Sequence, residues 1–166
     1  YAVCDGRGDA PGGEVAAYLA TAALEDYVGG ILGGDDDAER ASDELTRPEF
    51  SAKTIEHAIR HALHSIVFAT RERPDLAGMA TTVTLLLVQR GRAFIGHAGD
   101  SRAYLVREDD LVQLTTDQEW TTEGVGTSRT HGVEIESFSI ATRPGDTFVL
   151  CTCLLYTSDA ADETCR

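Results

Sequence analysis

The stretch Val3-Cys4-Asp5-Gly6-Arg7-Gly8 places a carboxylate directly after a short apolar run and follows it with two glycines. This pattern predicts a strand that ends in a tight turn, and the segment from Gly12 onward predicts a helix. A carboxylate at a strand end, beside glycines that let a backbone carbonyl come close, suits a hard divalent cation, because such ions prefer oxygen ligands. An ordinary solvated turn is the alternative interpretation, because aspartate and glycine both favour turns.

Two further groups of potential ligands have a less specific pattern. Three adjacent aspartates at positions 35–37 lack the spacing of a calcium loop, which favours a solvated acidic connection. His57, His61 and His64 follow one another at spacings of four and three residues, as on one face of a helix. Neither an HExxH pattern nor a matching acid accompanies them, so we expect them at the surface and at the boundary of the core.

The composition is typical of one soluble domain. The chain has 166 residues, of which 42% are hydrophobic and 25% are charged, with a formal net charge of -14 at pH 7. This charge argues against nonspecific binding to nucleic acid or to anionic lipid, since both require an excess of lysine and arginine. Four cysteines without CxxC pairing or zinc-ligand spacing predict reduced thiols and a cytoplasmic location. We expect no apolar run long enough to span a membrane.

Two helices are expected in the first half of the chain. Apolar residues recur at four-residue steps from Val15 to Tyr27, and Gly29-Gly30 is expected to end this first helix. Ser51 can cap a second helix that ends before Pro74. The predicted buried stripe of this second helix consists of Ile55, Ile59, Ala62 and Ile66.

From residue 80 onward the pattern changes to short strands. Six runs are rich in apolar and β-branched residues and are separated by turn residues, namely 82–88, 93–97, 103–106, 111–114, 135–141 and 147–151. Because short turns join antiparallel neighbours, we expect an antiparallel meander. Helices followed by an antiparallel sheet indicate an α+β layered domain.

Five short motifs in the chain are informative when they are taken together. They are the Asp-Gly motif at 3–8 with its continuation at 12–16, and the segments 78–82, 96–104, 114–117 and 144–146. In this order and spacing they resemble the successive motifs of bacterial metal-dependent protein serine/threonine phosphatases of the PPM, or type 2C, family. The resemblance covers residues 1–152 and implies a four-layer αββα sandwich with two antiparallel sheets.

The resemblance also implies an activity, which is hydrolysis of phosphoserine and phosphothreonine by a water activated by two Mn²⁺ or Mg²⁺ ions. Asp5 would bridge both ions through its carboxylate, and Gly6 would ligate one ion through its backbone carbonyl. Asp100 matches a family carboxylate near a third metal, with a hairpin-turn residue as the alternative. Arg102 and Thr81-Thr82 resemble family positions with a structural role. The implied partners are proteins phosphorylated by a serine/threonine kinase. From the net charge and the apolar pattern, we expect no nucleic acid or membrane as a partner.

The sequence departs from the family pattern at places that bear on catalysis. Ala10 corresponds to the histidine of the family that is thought to act as general acid, and loss of such an acid lowers a rate by roughly 10²- to 10⁴-fold. The family's phosphate-binding arginine and Glu-Asp pair are expected upstream of Tyr1. Gln118 and Glu119 replace the family's histidine and serine after Asp117.

The match to the family ends abruptly after Thr152. The family continues there with Asp-Gly, whose aspartate is a core metal ligand, whereas this chain continues with Cys153-Leu154. Residues 153–166 resemble translated sequencing-adapter DNA, so we expect them to be foreign to the protein, and we do not expect Asp159 and Asp162 to be ligands. The prediction is a partial phosphatase domain at 1–152, incomplete at both ends.

Three functional hypotheses follow from these observations. The first is a protein phosphatase of which this fragment is weakly active or inactive. The second is a non-catalytic member of the same fold that regulates or binds phosphoproteins, which Ala10 favours. The third is a purely structural α+β domain, for which the order of the five motifs would be coincidence. Hydrolysis that requires Mn²⁺ and depends on Asp5 would distinguish the first hypothesis from the others.

Overall fold

The computed structural model describes residues 1–8, 11–32, 50–118 and 133–155 of the chain. Each predicted strand is observed, and no end is shifted by more than one residue. In chain order the elements are β1 (Ala2–Val3), α1 (Gly13–Leu32), α2 (Ala52–Glu72), β2 (Val83–Gln89), β3 (Arg92–Ala98), β4 (Arg102–Arg107), β5 (Asp110–Gln113), β6 (Glu136–Ala141) and β7 (Thr147–Cys151). Short 3₁₀ turns at Pro74–Leu76 and Cys153–Leu155 follow α2 and β7.

Both predicted helices are observed, and the first is longer than predicted. α1 continues through Gly29-Gly30 to Leu32, because a helical glycine costs only about 1 kcal/mol relative to alanine and does not by itself end a helix. The N-cap of α2 is Ser51, as predicted: its Oγ accepts the Thr54 N–H at 3.1 Å, and the Thr54 hydroxyl accepts the Ser51 N–H at 3.2 Å. The predicted apolar stripe of α2 is buried.

The helices form one layer, and the strands form two antiparallel sheets beneath it. The first sheet has the order β1-β2-β3-β6, and the second has the order β5-β4-β7. One core lies between the helices and the first sheet and includes Ile55, Ile59, Leu63 and Phe94. A smaller core lies between the two sheets and is formed by Leu86, Ala93, Ile95 and Ala103 with the partly buried Phe138, Ile140, Phe148 and Leu150.

These layers confirm the predicted α+β class with two antiparallel sheets. Of the four layers expected, the described residues show three, which are the helices and both sheets. No second helical layer lies in the described parts of the chain, and the outer face of the second sheet exposes Leu111 and Val149.

The strand connections differ from the predicted meander at two turns. Residues 99–101 join β3 to β4 and residues 142–146 join β6 to β7, yet neither pair of strands is hydrogen-bonded. β3 pairs with β2 and β6, whereas β4 pairs with β5 and β7. Both turns therefore carry the chain from one sheet to the other, and the prediction of antiparallel neighbours is wrong there. A glycine with positive φ, such as Gly99 at 112°, serves a sheet crossing as well as a hairpin, so the local pattern does not distinguish them.

α1 has the length and mean hydropathy of a possible membrane span. This finding corrects the expectation that no apolar run reaches that length. Ala16, Ala20 and Leu24 of α1 are nevertheless buried in the core shared with α2, while Tyr18 is 72% exposed. A core helix of a soluble protein meets the same requirement, so α1 is weak evidence for a membrane span.

The predicted positions of the histidines of α2 are confirmed. His57 and His64 are exposed, and the side chain of His61 is 43% exposed. The His61 ring packs against Tyr27 of α1, with 5.6 Å between the ring centroids. The three aspartates at 35–37 lie outside the described residues.

Candidate active site

Asp5 lies in a turn whose main chain is fixed by β1 and the segment before β2. β1 pairs antiparallel with β2, and Gly6 forms a further bridge to the residues that precede β2. The Thr82 N–H donates to the Asp5 carbonyl at 2.9 Å, and the Arg7 N–H donates to the Ala80 carbonyl at 2.9 Å. These bonds extend the pairing beyond the end of β1, so main-chain contacts set the position of Asp5 relative to the first sheet.

The glycine at position 6 is required by the start of α1. A Cβ on Gly6 would overlap the carbonyl oxygen of Gly13, and a Cβ on Gly13 would overlap the carbonyl oxygen of Arg7. Gly12 has a φ of 78°, which favours glycine, and its carbonyl accepts the Ala16 N–H at 2.9 Å. The turn and the N-terminus of the helix are therefore in direct main-chain contact.

The Asp5 side chain is half-buried and lies close to residue 153. The Sγ atom of Cys153, in the 3₁₀ turn after β7, is 3.9 Å from Oδ2 of Asp5, although the two residues are 148 positions apart. The resemblance places a second acidic ligand directly after Thr152. In this chain the thiol of Cys153 occupies that place.

Asp100 lies in the crossing from β3 to β4, and hydrogen bonds from residues 117 and 118 hold this turn. The Gly99 N–H donates to Oε1 of Gln118 at 2.9 Å, and the Gln118 N–H donates to the Gly99 carbonyl at 2.8 Å. Nε of Arg102 donates to Oδ1 of Asp117 at 2.9 Å, and Nη2 of Arg102 donates to Oδ2 of Asp117. Gln118, which departs from the family pattern, therefore closes the turn in this chain.

The ion pair between Arg102 and Asp117 is charged at neutral pH. Hydrogen bonds from Arg102 lower the pKa of the Asp117 carboxyl below its usual range, and the same bonds raise the pKa of the guanidinium. A bond from Nε2 of Gln113 to Oδ1 of Asp117, at 3.1 Å, adds to this arrangement. Arg102 has the structural role that the resemblance implies. Asp100 itself is half-buried, and the hairpin interpretation of its turn is wrong, because β3 and β4 do not pair.

Thr82 connects the two turns. Its hydroxyl accepts the Asp5 N–H at 3.0 Å and lies 2.7 Å from the hydroxyl of Ser101. Thr82 and Ser101 are 2% and 0% exposed. Through this link the structure brings the predicted ligands Asp5 and Gly6 into the neighbourhood of the turn that carries Asp100, a connection for which the sequence offered no signal.

A histidine that the sequence reasoning did not single out lies near the second turn. His97 of β3 is fully buried, and its Nδ1 is 3.0 Å from Oγ1 of Thr84, whereas Nε2 has no hydrogen-bond partner within the described segments. Burial lowers the pKa of His97, and the carboxylate of Glu136 opposes this effect. We therefore assign a neutral imidazole to His97 at neutral pH.

The donors around Asp5 suit a divalent cation in kind, because Mn²⁺ and Mg²⁺ take oxygen ligands such as the Asp5 carboxylate and the Gly6 carbonyl. These two donors are too few to form a complete metal site. Within residues 1–8, 11–32, 50–118 and 133–155, no group of three or more His, Cys, Asp or Glu side chains could hold a metal ion. Two ions about 3.5 to 4 Å apart require several carboxylates to balance their charge. A two-ion site would therefore require ligands in addition to Asp5 and Gly6.

Several predicted positions lie outside the described residues. They are Ala10, Glu119, Asp159 and Asp162. The replacement of the family's general acid by Ala10 therefore stays a prediction from sequence.

Comparisons with known proteins agree with this fold. The sequence profile of the family Protein phosphatase 2C matches residues 1–152. The chain is 36% identical over 116 residues to the serine/threonine protein phosphatase PstP of Mycobacterium tuberculosis, which corresponds to 70% of this chain and 20% of PstP. The chain thus spans about a fifth of the length of that relative.

Two solved structures share the arrangement of helices and sheets. The structure of Mycobacterium tuberculosis PstP/Ppp has a TM-score of 0.71 and 29% identity, and the match covers 98% of this chain and 71% of that chain. The catalytic domain of PstP in complex with two manganese ions has a TM-score of 0.69 and 29% identity, with coverage of 90% and 64%. The family profile and the shared fold together show that this chain belongs to the protein phosphatase 2C family.

Proposed function

We propose that the protein containing this chain is a metal-dependent phosphatase that hydrolyses phosphoserine and phosphothreonine in other proteins. The observation that carries this proposal is the Asp5-Gly6 turn, which presents a carboxylate next to residue 153 and beside the turn of Asp100. It is supported by the likeness to PstP, a serine/threonine protein phosphatase whose catalytic domain was solved with two manganese ions.

In this proposal Asp5 and the Gly6 carbonyl hold Mn²⁺ or Mg²⁺, and Asp100 lies near a third, weaker site. Two bound ions would lower the pKa of an attacking water and neutralise charge at phosphorus. The residues of the chain keep these ligands in place. The pairing of β1 with β2 fixes Asp5, while Gln118 and Arg102 fix the turn of Asp100.

The proposed partners are proteins that a serine/threonine kinase has phosphorylated. The proposed location is the cytoplasm. The net charge of -14 supports the exclusion of nucleic acid and of anionic membrane surfaces. The cysteines of the described residues, Cys4, Cys151 and Cys153, are free thiols, which supports a reducing compartment. We further propose that residues 153–166 are foreign to the phosphatase domain, supported by a family match that covers 1–152.

The first test uses the full product of the gene. Hydrolysis of a phosphothreonine peptide should require Mn²⁺, stop with EDTA, and fall at least about 100-fold in Asp5→Asn, since even outer-shell substitutions cost 10- to 100-fold. Asp26→Asn is the matched control, because that carboxylate lies on α1 and is 86% exposed. Activity that survives EDTA or Asp5→Asn would contradict the proposal.

A second test uses the chain itself, because Cys153 lies next to Asp5. Cys153→Asp should bind Mn²⁺ at least about tenfold more tightly than Cys153→Ser, since a second carboxylate raises the charge of the donor set. Adding Asp5→Asn should remove this gain. Isothermal titration with MnCl₂ measures both effects, and equal affinities of the Asp and Ser variants would refute Asp5 as a ligand.

The alternative of a non-catalytic, phosphoprotein-binding module has no support from the relatives, which are named as phosphatases. It predicts that the full gene product binds a phosphothreonine peptide without releasing phosphate. The same peptide assay therefore separates the two functions, because it measures phosphate release and peptide affinity on one substrate.

A further inference from the structure

We infer that Thr82 and Ser101 are positioning residues that hold Asp5 in register with the turn of Asp100. The inference rests on the proposed function, because it concerns the placement of a proposed metal ligand. Neither hydroxyl is assigned as a ligand. Their role is to couple two turns that approach one another from different parts of the fold.

Thr82 forms two hydrogen bonds with the main chain of Asp5, one with its carbonyl and one with its N–H. Its N–H donates to the Asp5 carbonyl at 2.9 Å, and its Oγ1 accepts the Asp5 N–H at 3.0 Å. The first bond needs only a backbone and any residue can make it. The second bond needs a hydroxyl at position 82, which makes the identity of this residue important for the placement of Asp5.

Ser101 extends this contact to the second turn. Its Oγ lies 2.7 Å from Oγ1 of Thr82, which is the oxygen that also accepts the Asp5 N–H. A hydroxyl can accept and donate at the same time, so one oxygen serves both turns. Because Thr82 and Ser101 are buried, loss of either hydroxyl leaves an unsatisfied polar group away from water.

Thr82 also contacts the other end of the same turn. A Cβ on Gly99 would lie 2.9 Å from Cγ2 of Thr82 and 3.1 Å from its Cβ, so the side chain of Thr82 packs directly on the glycine. Residues 99 and 101 therefore both contact Thr82, and Asp100 lies between them. A shift of Thr82 would move Asp5 and the backbone on both sides of Asp100 together.

The experiment compares threonine-to-valine substitutions at neighbouring inward positions of the same segment. Thr82→Val in the full gene product should weaken Mn²⁺ binding by roughly 10- to 100-fold, as expected for groups that orient a ligand. It should lower kcat and leave the KM for the phosphopeptide unchanged. Thr82→Ser, which keeps the hydroxyl, should retain most of the affinity. Thr84→Val is the matched control, because Thr84 is equally buried but bonds to His97.

Equal loss of Mn²⁺ affinity in Thr82→Val and Thr84→Val would overturn the inference, since it would indicate a general effect on the core. Unchanged affinity in Thr82→Val would also overturn it. Ser101→Ala should reproduce the direction of the Thr82→Val effect with a smaller loss, because the bond from Asp5 to Thr82 survives.

Amide hydrogen exchange separates this inference from the proposed function. In the chain without metal, Thr82→Val should accelerate exchange at the Asp5 amide, which loses its acceptor. If the wild-type product neither binds Mn²⁺ nor hydrolyses the peptide, the proposed function fails. Accelerated exchange at Asp5 would then still support the role of the Thr82 hydroxyl in holding Asp5, whereas unchanged exchange would overturn the inference.

Discussion

The two turns that carry the proposed ligands are held in different ways. The turn of Asp5 is fixed mainly by main-chain contacts, which are the extension of β1 along β2 and the contact between Gly6 and Gly13. The Thr82 hydroxyl adds one side-chain bond. The turn of Asp100 is fixed largely by side chains, which are those of Gln118 and of the pair formed by Arg102 and Asp117.

This difference determines how each turn responds to substitution. Two backbones in contact cannot separate without moving a helix or a strand, so added volume there strains the whole domain. A turn held by partly exposed side chains can lose one contact and bind water instead, so each contact contributes little to the free energy of unfolding. The predictions that follow test this contrast.

The largest effect is expected from Gly6→Ala. The new methyl group would overlap the carbonyl oxygen of Gly13, so either the turn or the start of α1 must move, at a cost of about 3 kcal/mol. Urea unfolding followed by circular dichroism measures the change. Gly8→Ala is the control, because no atom of the described residues, apart from its immediate chain neighbours, lies within 4 Å of its added Cβ. Equal stability of the two variants would show that α1 does not constrain the turn.

An intermediate effect on stability is expected from the protonation of His97, which lies near the turn of Asp100. Burial places its folded-state pKa below the ordinary value of 6.5, so the unfolded chain binds the proton more readily between the two values. His97 therefore does not lower the free energy of unfolding above pH 6.5. As the pH falls below 6.5, the free energy of unfolding decreases by up to about 1.4 kcal/mol per pH unit. The nearby carboxylates of Glu136 and Asp117 oppose the shift and reduce this slope.

Urea unfolding at pH 8, 7, 6 and 5 measures this dependence. His97→Gln should have a smaller slope between pH 6.5 and 5 than the wild type, while His57→Gln, at an exposed position of α2, should retain the wild-type slope. Parallel curves for the wild type and His97→Gln would contradict the assignment of a neutral, buried imidazole.

The smallest effect is expected from the ion pair that holds the second turn. The side chains of Arg102 and Asp117 are 23% and 39% exposed, so a double-mutant cycle with Arg102→Ala and Asp117→Ala should give a coupling of about 1 kcal/mol. The coupling should decrease in 1 M NaCl, because salt screens exposed charges. A coupling above the cost of Gly6→Ala would reverse the contrast between the two turns.

The sequence predicted the elements well and their connections less well. Strand ends were predicted to within one residue, and Ser51 was identified as the cap of α2. These features depend on neighbouring residues, through the alternation of apolar positions and the bond from a cap to its own helix. The end of α1 was wrong because glycine permits a helix that packing then extends.

In the candidate site too, local features were predicted from the sequence and long-range contacts were not. Asp5 was predicted as a possible ligand from a local pattern, which is a carboxylate beside glycines at a strand end, and the resemblance added the carbonyl of Gly6. The approach of Cys153 to Asp5 and the bond between Thr82 and Ser101 join residues 148 and 19 positions apart. No local pattern encodes such contacts, because they form only when the sheets pack.

The sequence by itself thus determined the order and type of the elements, the position of the Asp5-Gly6 turn and the resemblance to a family. The tertiary structure decided which strands share a sheet and why position 6 must be glycine. It also decided that Thr82 touches both turns. The physical reason is the distance along the sequence over which each effect acts. Backbone conformation and apolar periodicity depend on neighbouring residues, whereas strand pairing depends on the burial of whole sheet faces against one another.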